Sequence, residues 1–390
     1  FSQLDKCKLV QPSNLSTYRG FPAGSDPSYF AKRHPGAGSI IQVIGVSATD
    51  APTSKGTPSQ DYKYYLDRFK DWLSNVNNSG EPVTLRVSDK WFNYGAPLTP
   101  LGISHRSFNQ TSRNFGGNVI QLADPEIDFS GVDYVIVVVP AGTPLDVIGQ
   151  NGLGEQNTNE GQIRNVSIVM PATFEKFKPN DFGAFLNITM WIHELYHPGF
   201  NMGDQPGDGR WLVRGTQVPQ DKSDLATWPF ENRGMGEWGM FANGTTDMLQ
   251  WQKWLLGFTT DSQVKCAPTD ATTFTWLAPG STKTSKQKMV VVPISTTEAI
   301  VVESVRATGL NYKLQKFEQG ALVYTIDMTK TTYDYGYDVQ FPDARHWKSM
   351  KHSMDTAPFK KGESFTYKGV KITNVEWGDF GDVIKVEPVK

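Results

Sequence analysis

The sequence predicts an α+β fold, a mixed sheet with helices over residues 1–264 followed by an all-β region over residues 265–390. Three observations carry the prediction. Before residue 140, β-branched runs of strand length alternate with a helix-period segment, the pattern of a layered α/β region. Near the middle of the chain a second helix-period segment ends in His193-Glu194-Leu195-Tyr196-His197. Beyond Cys266 the apolar segments are short, alternating and separated by turn residues, as in sheet-on-sheet domains.

In chain order, an irregular Pro/Gly/Ser-rich start gives way to a strand at 39–46. Residues 62–76 predict an amphipathic helix, because Tyr65, Phe69, Trp72 and Val76 recur on one side. A strand follows at 82–87, and the nearly continuous β-branched run at 132–139 reads as a central strand buried on both faces. Residues 142–164, rich in Gly, Asn and Gln, read as a loop, and 167–171 as a short strand. From 180 to 197, Phe182, Phe185, Ile188, Ile192 and Leu195 recur at helical spacing. Asn180 or Asp181 is placed to cap the first turn, and Pro198-Gly199 to end the last. A Gly/Asp-rich stretch at 201–210 leads into a long loop. Thr245 or Thr246 is expected to cap a helix at 247–256 that Gly257 terminates. Strands are expected at 288–294, 299–305, 321–327, 364–367, 370–375 and 382–386.

A chain of 390 residues with 38% hydrophobic content can bury a large core. The net charge of −2, with no Lys/Arg run interleaved with aromatics, argues against nucleic acid as a partner. No stretch approaches the ~20 apolar residues that a membrane-spanning helix needs. Cys7 and Cys266 are expected to form one bridge, the alternative being two free thiols of a cytosolic protein. Sequons begin at Asn14, Asn77, Asn109, Asn165, Asn187 and Asn243, and with the bridge they point to a secreted or cell-surface protein. Asn187 lies inside the motif helix and is expected to be silent. The chain begins at Phe1 without Met, as expected if a signal peptide or propeptide has been removed.

The chemistry sits in the H-E-x-x-H segment. Two His four residues apart on a helix lie about one turn apart on the same face, so both imidazoles reach one metal ion. The intervening Glu194 is then close enough to act on a water activated by that metal. The bland alternative, two satisfied polar residues on a buried helix, accounts for neither the Glu nor the abrupt helix stop.

On these residues the chain resembles the immune inhibitor A family of secreted zinc metallopeptidases, metzincin-like zincins with a methionine turn. Glu237-Trp238-Gly239-Met240 is similar to the family's methionine turn, and 247–258 to the helix that follows it. Residues 298–327 resemble its Leu-Val-Glu and Gly-x-Leu-Val-Tyr strands, and Gly362-Glu363-Ser364-Phe365 with Gly369-Val370-Lys371-Ile372 its last hairpin. The resemblance implies a zincin-type catalytic domain followed by a sandwich-like β domain. It also implies one catalytic Zn2+ held by His193, His197 and a third ligand, with Met240 as an apolar floor beneath the His ligands. The family places its glycine and third ligand at fixed spacings after the second His; here Gly199 comes one position early and Asp204 one position late. Asp204 is taken as the third ligand because a carboxylate is a normal zinc donor and Gly203 gives the turn freedom. Asp208 and Glu237 are the alternatives, and an Asp-Gly turn or a Ca2+ loop is the other reading of Asp204 and Asp208.

The expected function is a secreted endopeptidase with Glu194 as general base and a protein or peptide substrate aligned along the 167–171 strand. The competing expectation is a weak or inactive member of the same fold that serves as a surface or adhesive binding protein. A zinc hydrolase acting on a nonpeptide amide is a third. The substrate, the oxyanion-stabilising residue and the oligomeric state are not encoded in any motif; His34, His105, His346 and His352 have no assigned role.

Overall fold

The computed structural model describes residues 2–14, 19–21, 38–76, 83–103, 110–169, 171, 189, 191–195, 235, 238–241, 246–312, 314–330, 336–344 and 356–389. Its architecture is α+β, with sheets predominating over helices. By contact the chain forms two units, Ala31–Asn201 and a second composed of Phe1–Phe30 with Met202–Lys390. The expected change of character at 264/265 falls at the start of a strand inside the second unit.

The first unit is built on a five-stranded sheet of β1 (Ile40–Ser47), β2 (Thr84–Asn93), β3 (Val132–Val138), β4 (Asn151–Asn157) and β5 (Gln162–Ile168). The strand order is β2-β1-β3-β5-β4, parallel throughout except for β4, which runs antiparallel to β5. The β-branched run at β3 takes the middle position, because a strand apolar on both faces is stable only where both faces are covered. Ahead of helix α1 (Lys63–Val76), Thr57 and Gln60 form a capping box around a turn begun by Pro58. α1 buries Tyr65, Leu66, Phe69, Trp72, Leu73 and Val76, the stripe its periodicity predicts.

Helix α2 (Gln110–Ala123) has no counterpart in the sequence prediction. Its Phe115, Val119, Ile120 and Ala123 join Val135, Val137, Val166, Ile168 and Leu153 in one core against a face of the sheet. Gly116 makes this packing possible, since a Cβ there would sit 2.8 Å from the Leu153 Cβ. The helix lies on β4, which itself occupies part of the segment read as a loop at 142–164. That reading is corrected: much of the segment belongs to an antiparallel hairpin of β4 and β5.

The second unit has a sheet of order β11-β10-β9-β8-β6 and another of order β12-β13-β14-β7. The strands are β6 (Val264–Cys266), β7 (Thr273–Leu277), β8 (Met289–Pro293), β9 (Glu298–Val305), β10 (Gly320–Asp327), β11 (Tyr337–Gln340), β12 (Ser364–Tyr367), β13 (Val370–Gly378) and β14 (Gly381–Pro388). Val290, Val292, Ile300, Val302, Ala321 and Val323 share a core with Leu277, Val370, Ile372, Ile384 and Val386 of the other sheet. The alternate residues Met289, Val291, Ala299, Val301, Leu322, Tyr324 and Ile326 point the other way, into a core with Cys7, Leu9, Trp238, Trp251 and Trp254. β9 is therefore buried along its whole length. β12 and β13 join through Lys368-Gly369, both at positive φ (45° and 81°), the conformation a two-residue hairpin turn requires.

Helix α3 (Gln250–Leu255) starts later than the 247–256 expectation. Thr246 does not cap it; the Thr246 hydroxyl accepts the Gly239 N–H at 2.7 Å, and Asp247 is committed to a buried ion pair with Lys253. Gly257 ends the helix in the left-handed region (φ 77°), as expected. Cys7 and Cys266 are bridged across a sequence separation of 259 residues.

Candidate functional site

The H-E-x-x-H segment is helical where it is described, at residues 191–195. Trp191, Ile192 and Leu195 are fully buried, and His193 and Glu194 are each 6% exposed. The Trp191 ring stacks on Tyr65 of α1 (centroids 6.2 Å apart, planes 12° apart) and meets Phe69 edge-on and Tyr62 at a tilt. Each such aromatic pair is worth roughly 0.5–1.5 kcal/mol beyond its buried area, so these contacts hold the motif helix to α1. From the sheet side, the Asn165 amide of β5 donates from Nδ2 to the Glu194 backbone carbonyl at 3.1 Å. Asn165 is fully buried, so its sequon is unavailable for glycosylation in the folded chain.

Of the predicted site residues, His193 and Glu194 lie side by side on this helix, while His197, Asp204 and the alternatives Asp208 and Glu237 lie outside the described residues. Among the described residues no group of three His, Cys, Asp or Glu gathers. Two imidazoles and a carboxylate are donor chemistry that zinc takes, and of the three expected ligands His193 is the one described, on a helix. In the second unit, Gly239 turns the chain at φ 89° and Met240 is fully buried. The tight turn is closed by the Thr246 hydroxyl and lies against Leu249, 3.0 Å from where a Gly239 Cβ would be.

Sequence reasoning missed two features of this region. The strand expected to align substrate, 167–171, is replaced by β5, an interior strand flanked by β3 and β4. The sheet edge on this side is β4, whose Gly154 pairs with Val166, the residue after Asn165. Among the described residues no strand pairs with its outer edge. The second feature is Asn165, whose only sequence signal was a glycosylation pattern.

Comparison of the chain with protein-family models gives no match, and comparison with curated proteins gives none either.

Proposed function

We propose that this protein is a secreted zinc-dependent endopeptidase, a zincin with a C-terminal sandwich-like β domain, related to the immune inhibitor A family. The observation that carries the reading is the pair His193 and Glu194, consecutive and nearly buried on a helix held to α1 and to β5. His193, His197 and Asp204 would hold the ion. A zinc ion there supplies a Lewis acid that makes water nucleophilic near neutral pH and polarises the scissile carbonyl. Glu194 accepts the proton of the attacking water and delivers it to the leaving amine, the dual role open to a carboxylate beside the reacting atoms. The open edge of β4 is suited to align an extended peptide by main-chain hydrogen bonds. The Cys7–Cys266 bridge is compatible with an extracellular setting.

A second reading, a weak or inactive binding protein on the same fold, is favoured by the one-residue shift of Gly199 and Asp204. One experiment separates them: elemental analysis of the purified protein with cleavage of casein. The peptidase reading expects one zinc per chain and chelator-sensitive cleavage. Zinc-free protein that leaves casein intact after zinc is added sinks it.

A further inference from the structure

We propose that the outer face of the β12-β13-β14-β7 sheet binds an acidic polysaccharide, one whose sugars carry carboxylates or sulfates. Side chains alternate along these strands, and Leu277, Ile372, Ile384 and Val386 turn into the core shared with the other sheet. The residues between them face outward. On the edge strand β7 these are Phe274 and Trp276, 63% and 43% exposed. Two residues apart on one face, they stand roughly 7 Å from each other along the strand. Phe380, in the turn between β13 and β14, is 50% exposed, and its backbone carbonyl accepts the Trp276 indole N–H at 3.0 Å. That bond fixes the Trp276 ring while leaving much of it in water, so a ligand has little ordering to offset. Clustered exposed rings of this kind mark a binding surface.

The groups that share the face with the rings select the occupant. Across the sheet Phe274 lies opposite Lys385, Lys385 opposite Thr373, and Thr373 opposite Ser364. A ring, an ammonium and two hydroxyls thus cross four strands in one row, half-buried from Lys385 onward. Acyl chains laid on this row would strip water from its polar groups without replacing the hydrogen bonds. A sugar answers both kinds of group: its C–H face stacks on the rings, and its hydroxyls and anionic substituent pair with the polar row. Charge decides which sugar. The Lys286 ammonium lies 5.9 Å from the Trp276 ring centre, and that of Lys385 lies 6.0 Å from the Phe274 ring centre. The connection from β7 to β8, residues 278–288, carries Lys283, Lys286 and Lys288 and no acidic residue, and the first two are exposed. Of the acids on this sheet, Glu387 is paired with Lys385 at 2.5 Å and Glu376 with Lys361 at 2.9 Å, while Asp379 lies in the turn beside Phe380. The β7 edge, where Phe274 and Trp276 stand, is therefore the basic side.

The proposal does not depend on the peptidase reading. Titration of the full-length protein with polygalacturonate, alginate and chondroitin sulfate tests it, with phosphatidylserine vesicles as the competing surface. The wild-type protein should bind at least one of the three polymers, and the methyl-esterified or desulfated form of that polymer about tenfold more weakly or worse. Phe274→Ala, Trp276→Ala and Lys286→Ala should each weaken binding by about fivefold or more with Tm little changed. Lys63→Ala, which removes an exposed ammonium from the first unit, should leave it within about twofold. Should Trp276→Ala fail to fold, Phe274→Ala, at the more exposed position, carries the test. Binding to none of the polymers, equal affinity for the neutralised form, or affinity that survives loss of the rings overturns the proposal. Preferential binding to the vesicles, lost in the same variants, overturns it in favour of a lipid surface.

Discussion

His193 and Glu194 are two polar side chains at positions where the surrounding Trp191, Ile192 and Leu195 are fully buried. Burying such groups costs several kcal/mol unless partners or a metal compensate. Replacing either His193 or His197 with Ala should abolish zinc binding, since each removes a proposed metal donor. The third ligand is tested by comparison: Asp204→Ala should weaken zinc affinity by orders of magnitude, while Asp208→Ala leaves it nearly intact. A zinc titration with a competing chelator reads the difference, and equal affinities in the two variants would move the ligand elsewhere. At this scale the motif was legible because its five residues carry their spacing locally. Asn165 was not, because its meaning depends on a helix 29 residues further along the chain.

Between residue and molecule, the elements that the sequence revealed are those whose apolar period matches one geometry, such as α1 and β3. Those it concealed, α2 and β4, conceal each other. Gly116-Gly117 lowers the helix propensity of α2, and β4 alternates only weakly. Both make sense once the glycine is seen to admit Leu153. Gly116→Ala gains up to ~1 kcal/mol of helix propensity but forces its Cβ to 2.8 Å from the Leu153 Cβ. Overpacking of this kind costs about 1–3 kcal/mol, so net destabilisation of about 1–2 kcal/mol is expected. Gly117→Ala meets only the end of the Gln156 side chain, at 3.1 Å, and should be neutral or stabilising by up to ~1 kcal/mol. Denaturant unfolding of the two variants checks the contrast, and a stabilised Gly116→Ala would refute the packing argument. The helix at α3 illustrates the other limit: of its two expected caps, Thr245 lies outside the described residues and Thr246 was recruited by the Gly239 turn through a contact no local pattern announces.

For the molecule as a whole, the second unit is tied together by the Cys7–Cys266 bridge and by a polar group sealed beneath α3. In the chain-entropy description a loop of this length stabilises by about 5 kcal/mol. Glu303 accepts the Gln250 N–H at 2.6 Å and the Tyr324 hydroxyl at 3.2 Å, and its burial pushes its carboxyl up from 4.5 to about 7. The folded state therefore keeps a proton that the unfolded chain releases. Stability from this group is fully present below about pH 4.5, falls as the pH rises toward about 7 and is flat above. The change is on the order of 3 kcal/mol. Glu303→Gln should flatten the stability profile between pH 5 and 7 relative to wild type, and an unaltered profile would contradict the assignment. The coarse α+β class was legible because strand length and turn spacing are repeated signals among the described residues. The membership of the first 30 residues in the second unit was not, since only the cysteine pairing hinted at it. The central claim, that this fold presents a zinc-assisted general base, meets its most direct test in Glu194→Gln, which preserves shape while removing the proton acceptor. Zinc content and casein hydrolysis measured on the same preparation should show a full complement of metal with turnover reduced by at least ~100-fold, whereas wild-type turnover by the zinc-loaded variant would contradict the account.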